Sequence, residues 1–302
     1  MKREKLSLSE FFQQYPDEAS AVQQFVEWRW PDGLRCAHCD SVRVSVARNQ
    51  RMAYRCRDCR KRFSIRTGTV MADSNLPLHT WLTAIYLATT GIKGTASTKM
   101  ASDLSITQKA AWHLGQRLRK AWERDELLAG IVEADESYFG GREKNKHLSK
   151  RTPGRGPSGK QAVFAVKQRD GRIHATPVDR TDSLTLKSEI LAHVAPGSTV
   201  YTDDHGAYHG LEHYGFEHES VKHSVSEYVR GQAHTNGVES FWALLKRGYY
   251  GTHHYMSRKH LGRYVSEFAS RHGVRKMNTR TQMRMLAAGM LGKRLRYADL
   301  IA

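Results

Sequence analysis

The chain has 302 residues, with 48 Lys and Arg against 30 Asp and Glu and a formal net charge of +18; its pI is about 9.9. That length is enough for two or three domains with cores of their own. So large a positive excess destabilises a compact fold by self-repulsion, and it points to an anionic partner, nucleic acid first and an anionic membrane surface second. No apolar run approaches the ~18 residues of a spanning helix. The polar start Met1-Lys2-Arg3-Glu4-Lys5 has no apolar signal-peptide core, so the expected compartment is the cytoplasm and no membrane partner is expected.

In chain order, residues 7–29 predict two short helices. Ser7 and Ser9 are candidate caps, and Pro16-Asp17-Glu18 opens the second helix before Ala21, Val22, Phe25 and Val26. Residues 30–66 alternate (Val42, Val44, Val46) and predict short strands. They also hold all four cysteines, clustered between positions 36 and 59. Cys36-Ala37-His38-Cys39 and Cys56-Arg57-Asp58-Cys59 form two Cys-x-x-Cys knuckles with sixteen residues between them. In a reducing compartment this spacing argues for four thiolates around one structural Zn²⁺ rather than for disulfides, because four Cys leave no open coordination position. Buried free thiols or a redox pair are the alternatives. His38 is expected to be a loop residue of the knuckle rather than a ligand. Arg55, Arg57, Arg60, Lys61 and Arg62 around the second knuckle suit phosphate contacts, or are simply a solvated face.

Residues 77–122 predict helices at Pro77 to about Thr89, Ser97–Leu104 and Gln108–Trp122, with Gly91-Ile92-Lys93-Gly94 as a break and Ser105-Ile106-Thr107 as a turn. In the last helix Ala111, Leu114, Leu118 and Trp122 form an apolar stripe, and Lys109, Gln116, Arg117, Arg119 and Lys120 form the polar side. Short helix, tight turn, amphipathic helix is the helix-turn-helix pattern, with Thr107 placed to cap the second helix; any small helical hairpin would look similar.

From residue 131 the pattern changes. Ile131–Phe139, Gln161–Gln168 and Arg172–Val178 predict strands, the last two joined by an Asp170-Gly171 turn. Ser183–Val194 predicts a helix, Ser198–Thr202 a strand, Ala207–Tyr214 a short helix and Glu219–Lys222 a brief strand. Helices follow at Val238–Tyr249, Lys259–Arg271 and about Thr281–Gly292. This order fits a mixed α/β layer with helices on both faces of the sheet. Residues 141–160, with seven Lys or Arg and one Glu among Gly and Pro, predict a flexible basic loop.

Three acids stand in telling places. Asp135 lies near the end of its strand before Gly140-Gly141, with Glu133 on the same face by alternation. Asp203 ends the Thr199–Thr202 strand, and Asp204 remains an alternative if that strand stops one residue later. Glu239 opens a helix whose other side is Phe241, Trp242, Leu244 and Leu245. Asn236, Glu239 and Lys246 share one helical face. Carboxylate oxygens suit Mg²⁺, with Mn²⁺ as a substitute. Two such ions ~3.5–4 Å apart activate a water or a 3′-hydroxyl and stabilise the leaving oxygen of a phosphodiester. Taken singly, each acid could equally be a solvated cap or strand end.

At these residues the chain resembles the bacterial insertion-sequence transposases of the DDE class that carry an N-terminal zinc ribbon. The resemblance spans nearly the whole chain. It rests on Arg29-Trp30-Pro31-Asp32-Gly33, Phe63-Ser64-Ile65-Arg66-Thr67-Gly68-Thr69 and Glu133-Ala134-Asp135-Glu136-Ser137-Tyr138-Phe139-Gly140-Gly141. Most specific are His234-Thr235-Asn236-Gly237-Val238-Glu239-Ser240-Phe241-Trp242, then Leu245-Lys246-Arg247-Gly248 and His260-Leu261-Gly262-Arg263-Tyr264-Val265-Ser266-Glu267-Phe268. It implies a ribonuclease-H-like catalytic domain with Asp135, Asp203 and Glu239 as the catalytic acids and ligands of two Mg²⁺. His234, Asn236, Lys246 and Arg247 are then supporting or DNA-contacting residues. It further implies cleavage at transposon ends, transfer of the 3′-hydroxyl into target double-stranded DNA, at least a dimer on DNA, and association with the bacterial nucleoid. The expected division is N-terminal helices 1–29, zinc ribbon 30–70, helical DNA-binding segment 71–128, catalytic domain 129–273 and helical tail 274–302. Two other readings stay open: a DNA-binding regulator with a degenerate catalytic domain, and a ribonuclease-H-like nuclease that cuts without joining.

Overall fold

The structure, a computed structural model, describes residues 4–47, 52–124, 126–141, 145, 147–151, 159–169, 171–221 and 235–302. It has two compact units, one of residues 1–122 with 276–302 and a central one of residues 123–275.

The first unit opens with α1 (Leu8–Gln14) and α2 (Glu18–Arg29). Ser7 and Glu10 close a capping box on α1, so Ser7 is the cap and Ser9 lies within the helix. Asp17 caps α2 through the N–H of Ser20. Strands β1 (Val44–Val46), β2 (Tyr54–Cys56) and β3 (Arg62–Phe63) form a three-stranded antiparallel sheet in that order. Helix α3 (Leu78–Thr90) buries Trp81, Leu82, Ala84 and Ile85 almost completely and serves as the core helix of this unit. Helices α4 (Ser97–Leu104) and α5 (Gln108–Trp122) follow, joined through Ser105 in a left-handed conformation at φ 52°.

The central unit is a five-stranded sheet. Its strands are β4 (Ile131–Phe139), β5 (Gln161–Gln168), β6 (Ile173–Val178), β7 (Thr199–Asp203) and β8 (Glu217–Val221), in spatial order β6-β5-β4-β7-β8. The first three are antiparallel neighbours, and β7 and β8 run parallel to β4. This is the mixed, ribonuclease-H-like arrangement expected. Helix α6 (Ser183–His193) covers one face, where Val132, Ala134, Phe164, Val166, Leu186, Ile190 and Tyr208 form a core. Helices α7 (Asn236–Gly248) and α8 (Arg258–Val274) cover the other, with Phe139, Val163, Ala165, Val238, Phe241, Trp242, Leu245 and Phe268. Residues 207–214 are not one helix. Two 3₁₀ turns, Gly206–Tyr208 and Leu211–Tyr214, are separated by Gly210 at φ +82°, which no continuing helix accommodates. Strand β8 begins at Glu217; Lys222, its expected end, lies outside the described residues. So do Asp170 of the expected hairpin turn and most of the basic 141–160 segment.

The chain then returns to the first unit with α9 (Thr279–Ala288) and α10 (Tyr297–Ile301). This segment, expected as a tail, packs α9 against α2, α3 and α5. Its Leu295 carbonyl accepts a hydrogen bond from Arg117 Nε at 3.1 Å. The consequence is a correction to α5. Gln116, Arg117 and Arg119, expected on an open polar side, are buried at 0%, 7% and 5% exposure. What α5 leaves exposed is its first turn, Gln108 and Lys109. Helix-turn-helix recognition helices meet base edges with their N-terminal residues.

Candidate active site and zinc module

In the zinc module, β1, β2 and the two knuckles bring the thiols of Cys36, Cys39, Cys56 and Cys59 within 4.8 Å of one another. The Cys36–Cys59 and Cys39–Cys56 sulfur separations are both 3.7 Å. A tetrahedral Zn–S₄ site with ~2.3 Å bonds needs sulfurs about 3.8 Å apart, so the four thiols fit one zinc. Burial opposes ionisation of Cys56, but the N–H groups of Cys59 and Asp58 and the neighbouring thiols outweigh it, bringing this thiol down to about 6. Each knuckle closes on a left-handed residue, Asp40 at φ 57° and Arg60 at φ 60°. Trp30 packs edge-on to Tyr54 and Phe63 beneath the knuckles. The His38 ring lies 3.3 Å from the Arg62 carbonyl and is not one of the four clustered ligands.

The acids gather at one end of the central sheet. Alternation along β4 sends Val132 and Ala134 into the core under α6 and turns Glu133, Asp135 and Phe139 toward α7 and α8. The register pairs Ile131 with Thr199, Val132 with Val200 and Glu133 with Tyr201. Continued two residues, it sets Asp135 level with Asp203 on the neighbouring parallel strand. Asp203 is half-buried, accepts the His205 N–H at 3.1 Å, and pairs with Val221 on its other side. Asp204 is exposed.

Asp135 is held from two directions. Its own chain offers the Glu136 N–H to Oδ1 at 2.8 Å, and the Trp242 indole N–H of α7 donates to Oδ2 at 2.9 Å. Burial, joined by the negative charges of Glu136 and Asp203, nonetheless pushes its carboxyl up to about 7. Glu136 points to the opposite face, where the buried Tyr208 hydroxyl donates to Oε2 at 2.6 Å and His205 Nδ1 lies 3.9 Å from Oε1. Its carboxyl is also raised, by burial first and then by Asp203. Glu136, Tyr208 and the Trp242 indole were not among the expected site residues. Trp242 carries no local signal of this role, because it reads as part of the apolar side of α7 and its contact to Asp135 spans 107 residues.

Glu133 has a different task. It is 1% exposed. Its Oε2 accepts the Val238 N–H at 2.9 Å, capping the start of α7 across the sheet. Lys167 stands directly opposite it on β5. Glu239, on the first turn of α7, is exposed, and its Oε1 accepts the Thr235 hydroxyl at 3.2 Å. Asp135, Asp203 and Glu239 therefore do not form a group whose ligand atoms all lie within 4.8 Å. Asn236, Lys246 and Arg247 are exposed on the same helix; His234 lies outside the described residues. Carboxylates on adjacent strand ends, with a third on a helix docked to one of them, are hard oxygen donors of the kind that hold Mg²⁺.

Comparison with known proteins finds two family models. One, described as an ISXO2-like transposase domain, matches residues 127–272. The other, a transposase zinc-ribbon domain, matches residues 16–62. A Halobacterium salinarum protein, described as an uncharacterized protein in transposable element ISH50, is 30% identical over 275 residues, 86% of this chain and 92% of the relative. Among solved structures, the simian T-cell lymphotropic virus intasome in complex with PP2A regulatory subunit B56 gamma aligns at 16% identity and a TM-score of 0.29 over 64% of each chain. The Mos1 strand transfer complex aligns at 12% identity and 0.29 over 71% of this chain and 78% of its own. Similarities this distant carry no weight for function. No helix among the described residues is long and apolar enough to cross a membrane.

Proposed function

The chain belongs to the family of ISXO2-like insertion-sequence transposases, and from that premise we propose that it cuts DNA at the ends of its own element and joins the freed 3′-hydroxyls to target DNA. The proposed catalytic acids are Asp135, Asp203 and Glu239, with double-stranded DNA as substrate and at least a dimer assembling on paired ends. The observation that carries this reading is the level placement of Asp135 and Asp203 on adjacent parallel strands, with α7 docked onto Asp135 through Trp242.

Two Mg²⁺ held by these acids would activate the attacking water or 3′-hydroxyl and stabilise the leaving oxygen. The residues present fit that role. A carboxyl held near 7 by burial and like charge regains its ionised form when a cation lies beside it. Trp242 and the Glu136 N–H fix the orientation of Asp135. Asn236, Lys246 and Arg247 follow α7 along its exposed side, where they would bind phosphate. Exposed Gln108 and Lys109 on α5 and the arginines of the second knuckle would hold the duplex.

The test uses duplex DNA carrying the sequences that flank the coding region. Full-length protein should nick it in Mg²⁺ and not in its absence, and a strand-transfer assay should yield joined products. Asp135→Asn should bind this DNA and fail to cut it. Cutting by the variant at the parent rate would overturn the assignment of the acids. Cutting without any joining would favour a nuclease.

A further inference from the structure

Outside the acids and the cysteines, the central unit holds a second compact set of metal-ligand chemistry. His174 on β6 and Glu189 and His193 on α6 each present a ligand atom, all three within 4.8 Å of one another. We propose that these three residues bind a divalent transition-metal ion, zinc by preference, which clips α6 to the edge strand of the sheet.

Glu189 and His193 stand four apart on α6, so they share one helical face. Their Oε2 and Nε2 atoms are 3.5 Å apart. Strand alternation sends Ile173 and Ala175 into the core beneath α7 and α8, so His174 faces α6. The His174 and His193 rings stack with centroids 3.5 Å apart. All three residues are half-buried, and the end of α6 is pinned because the His193 carbonyl accepts the Leu128 N–H at 2.8 Å. Two imidazoles and one carboxylate from two rigid elements make up a zinc donor set with a fourth position left to water. Imidazole also selects against Mg²⁺ in favour of zinc and its neighbours.

Donors around a tetrahedral zinc with ~2.0 Å bonds lie about 3.3 Å apart. The Glu189–His193 pair is already near that spacing at 3.5 Å; loading turns the His174 imidazole toward it through side-chain torsions and unstacks the two rings. The site is separate from the proposed active site. His174 pairs with Val166, which pairs with Ala134, so it lies two strands from the row next to Asp135 and on the opposite face. At ~4.8 Å between strands that is about 10 Å. The ion's role here is to hold helix to strand, and it does not depend on the acids being catalytic.

Zinc content of the full-length protein, equilibrated in micromolar free zinc, tests this. Two ions per chain are expected, one in the four-cysteine site and one here. Cobalt substitution separates them, because thiolate ligation gives intense charge-transfer bands and a His₂Glu site gives only weak visible bands. His174→Asn and His193→Gln should each reduce the content to one zinc and remove the weak bands. Glu189→Gln, on a partly exposed helix position, should leave the fold intact and weaken the second ion about tenfold or more. Asp135→Asn should retain both ions. A parent chain that stops at one zinc would overturn the proposal. So would a second zinc that survives the histidine substitutions, or one that is lost with Asp135→Asn.

Discussion

Replacing Gly237 with alanine should loosen the start of α7 and, with it, the placement of Glu239. A β-carbon at Gly237 would sit 2.5 Å from Lys167 Nζ and 2.6 and 2.9 Å from the two Glu133 carboxylate oxygens. Lys167 is 5% exposed and Glu133 1%, so neither charged end can swing into water without opening the core. Moving Glu133 aside breaks its bond to the Val238 N–H, a charge-assisted contact worth about 1.5–3 kcal/mol, and disturbs an opposite-charge pair facing across β4 and β5. The better helix propensity of alanine returns only about 0.5–1 kcal/mol. The net expectation is a loss of ~2–4 kcal/mol in the central unit. Urea unfolding followed through that unit's transition would measure the loss, and hydrogen exchange at the Val238 and Glu239 amides should show reduced protection. Nicking in Mg²⁺ should fall with it. An alanine variant within about 0.5 kcal/mol of the parent, with unchanged protection, would refute the close approach on which this rests.

The acids, the zinc and the charge each give a further expectation. Burial first, then Glu136 and Asp203, raises the Asp135 carboxyl to about 7, above the ~3.9 of an unfolded Asp. The folded state therefore keeps a proton that the unfolded chain has lost. The resulting cost is absent below about pH 4 and complete above about pH 7. Asp135→Asn should stabilise the Mg²⁺-free protein by on the order of 2–4 kcal/mol at pH 8, with the gain vanishing toward pH 4 in thermal melts; a gain that grows on acidification would contradict the cause assigned. Chelating zinc should unfold residues 30–66 while the central unit stays folded; purified protein without zinc would contradict it. DNA affinity should fall steeply with salt, and Lys246→Gln should reduce the log–log slope by about 1. An unchanged slope would remove Lys246 from the phosphate contacts.

Local signals marked most of the elements. Ser97–Leu104 and Gln108–Trp122 have the expected bounds because the Ser105 turn, the Thr107 cap of the second helix and its apolar stripe all lie within a few residues. Strands Ile131–Phe139 and Gln161–Gln168 are equally local, with Gly-Gly and Gly171 punctuating them. The region 207–214 misled because its apolar spacing suits a helix while Gly210 and Gly215 both take φ +82°. Burial of Gln116, Arg117 and Arg119 was invisible for another reason. A polar residue on an amphipathic helix is assigned to water by default, and the Leu295 carbonyl that receives Arg117 comes more than 150 residues later. At the site, the acids could be named from their local contexts. Their pairing could not: the Asp135–Asp203 level depends on a parallel register between strands separated by α6, and the contacts of Glu133 and Trp242 cross more than 100 residues.

These long-range contacts also bear on how the third acid would reach a cation. Val238, Phe241, Trp242 and Leu245 are buried in the core beneath the sheet, and each such side chain contributes roughly 1.5–3 kcal/mol. Add the Glu133 cap at the helix start, and the backbone of α7 has little freedom to slide or turn. The position of Glu239 along the sheet edge is thus set by apolar packing and a buried charge, independently of any metal. Its side chain is exposed and accepts the Thr235 hydroxyl at 3.2 Å, a contact worth about 1 kcal/mol. Burial first, then the charges of Glu136 and Asp203, raises the Asp135 carboxyl to about 7, and a further carboxylate brought beside it would add repulsion unless positive charge came with it. A divalent cation would supply that positive charge, returning Asp135 to its ionised form and letting the Glu239 side chain approach from a helix whose backbone is already placed.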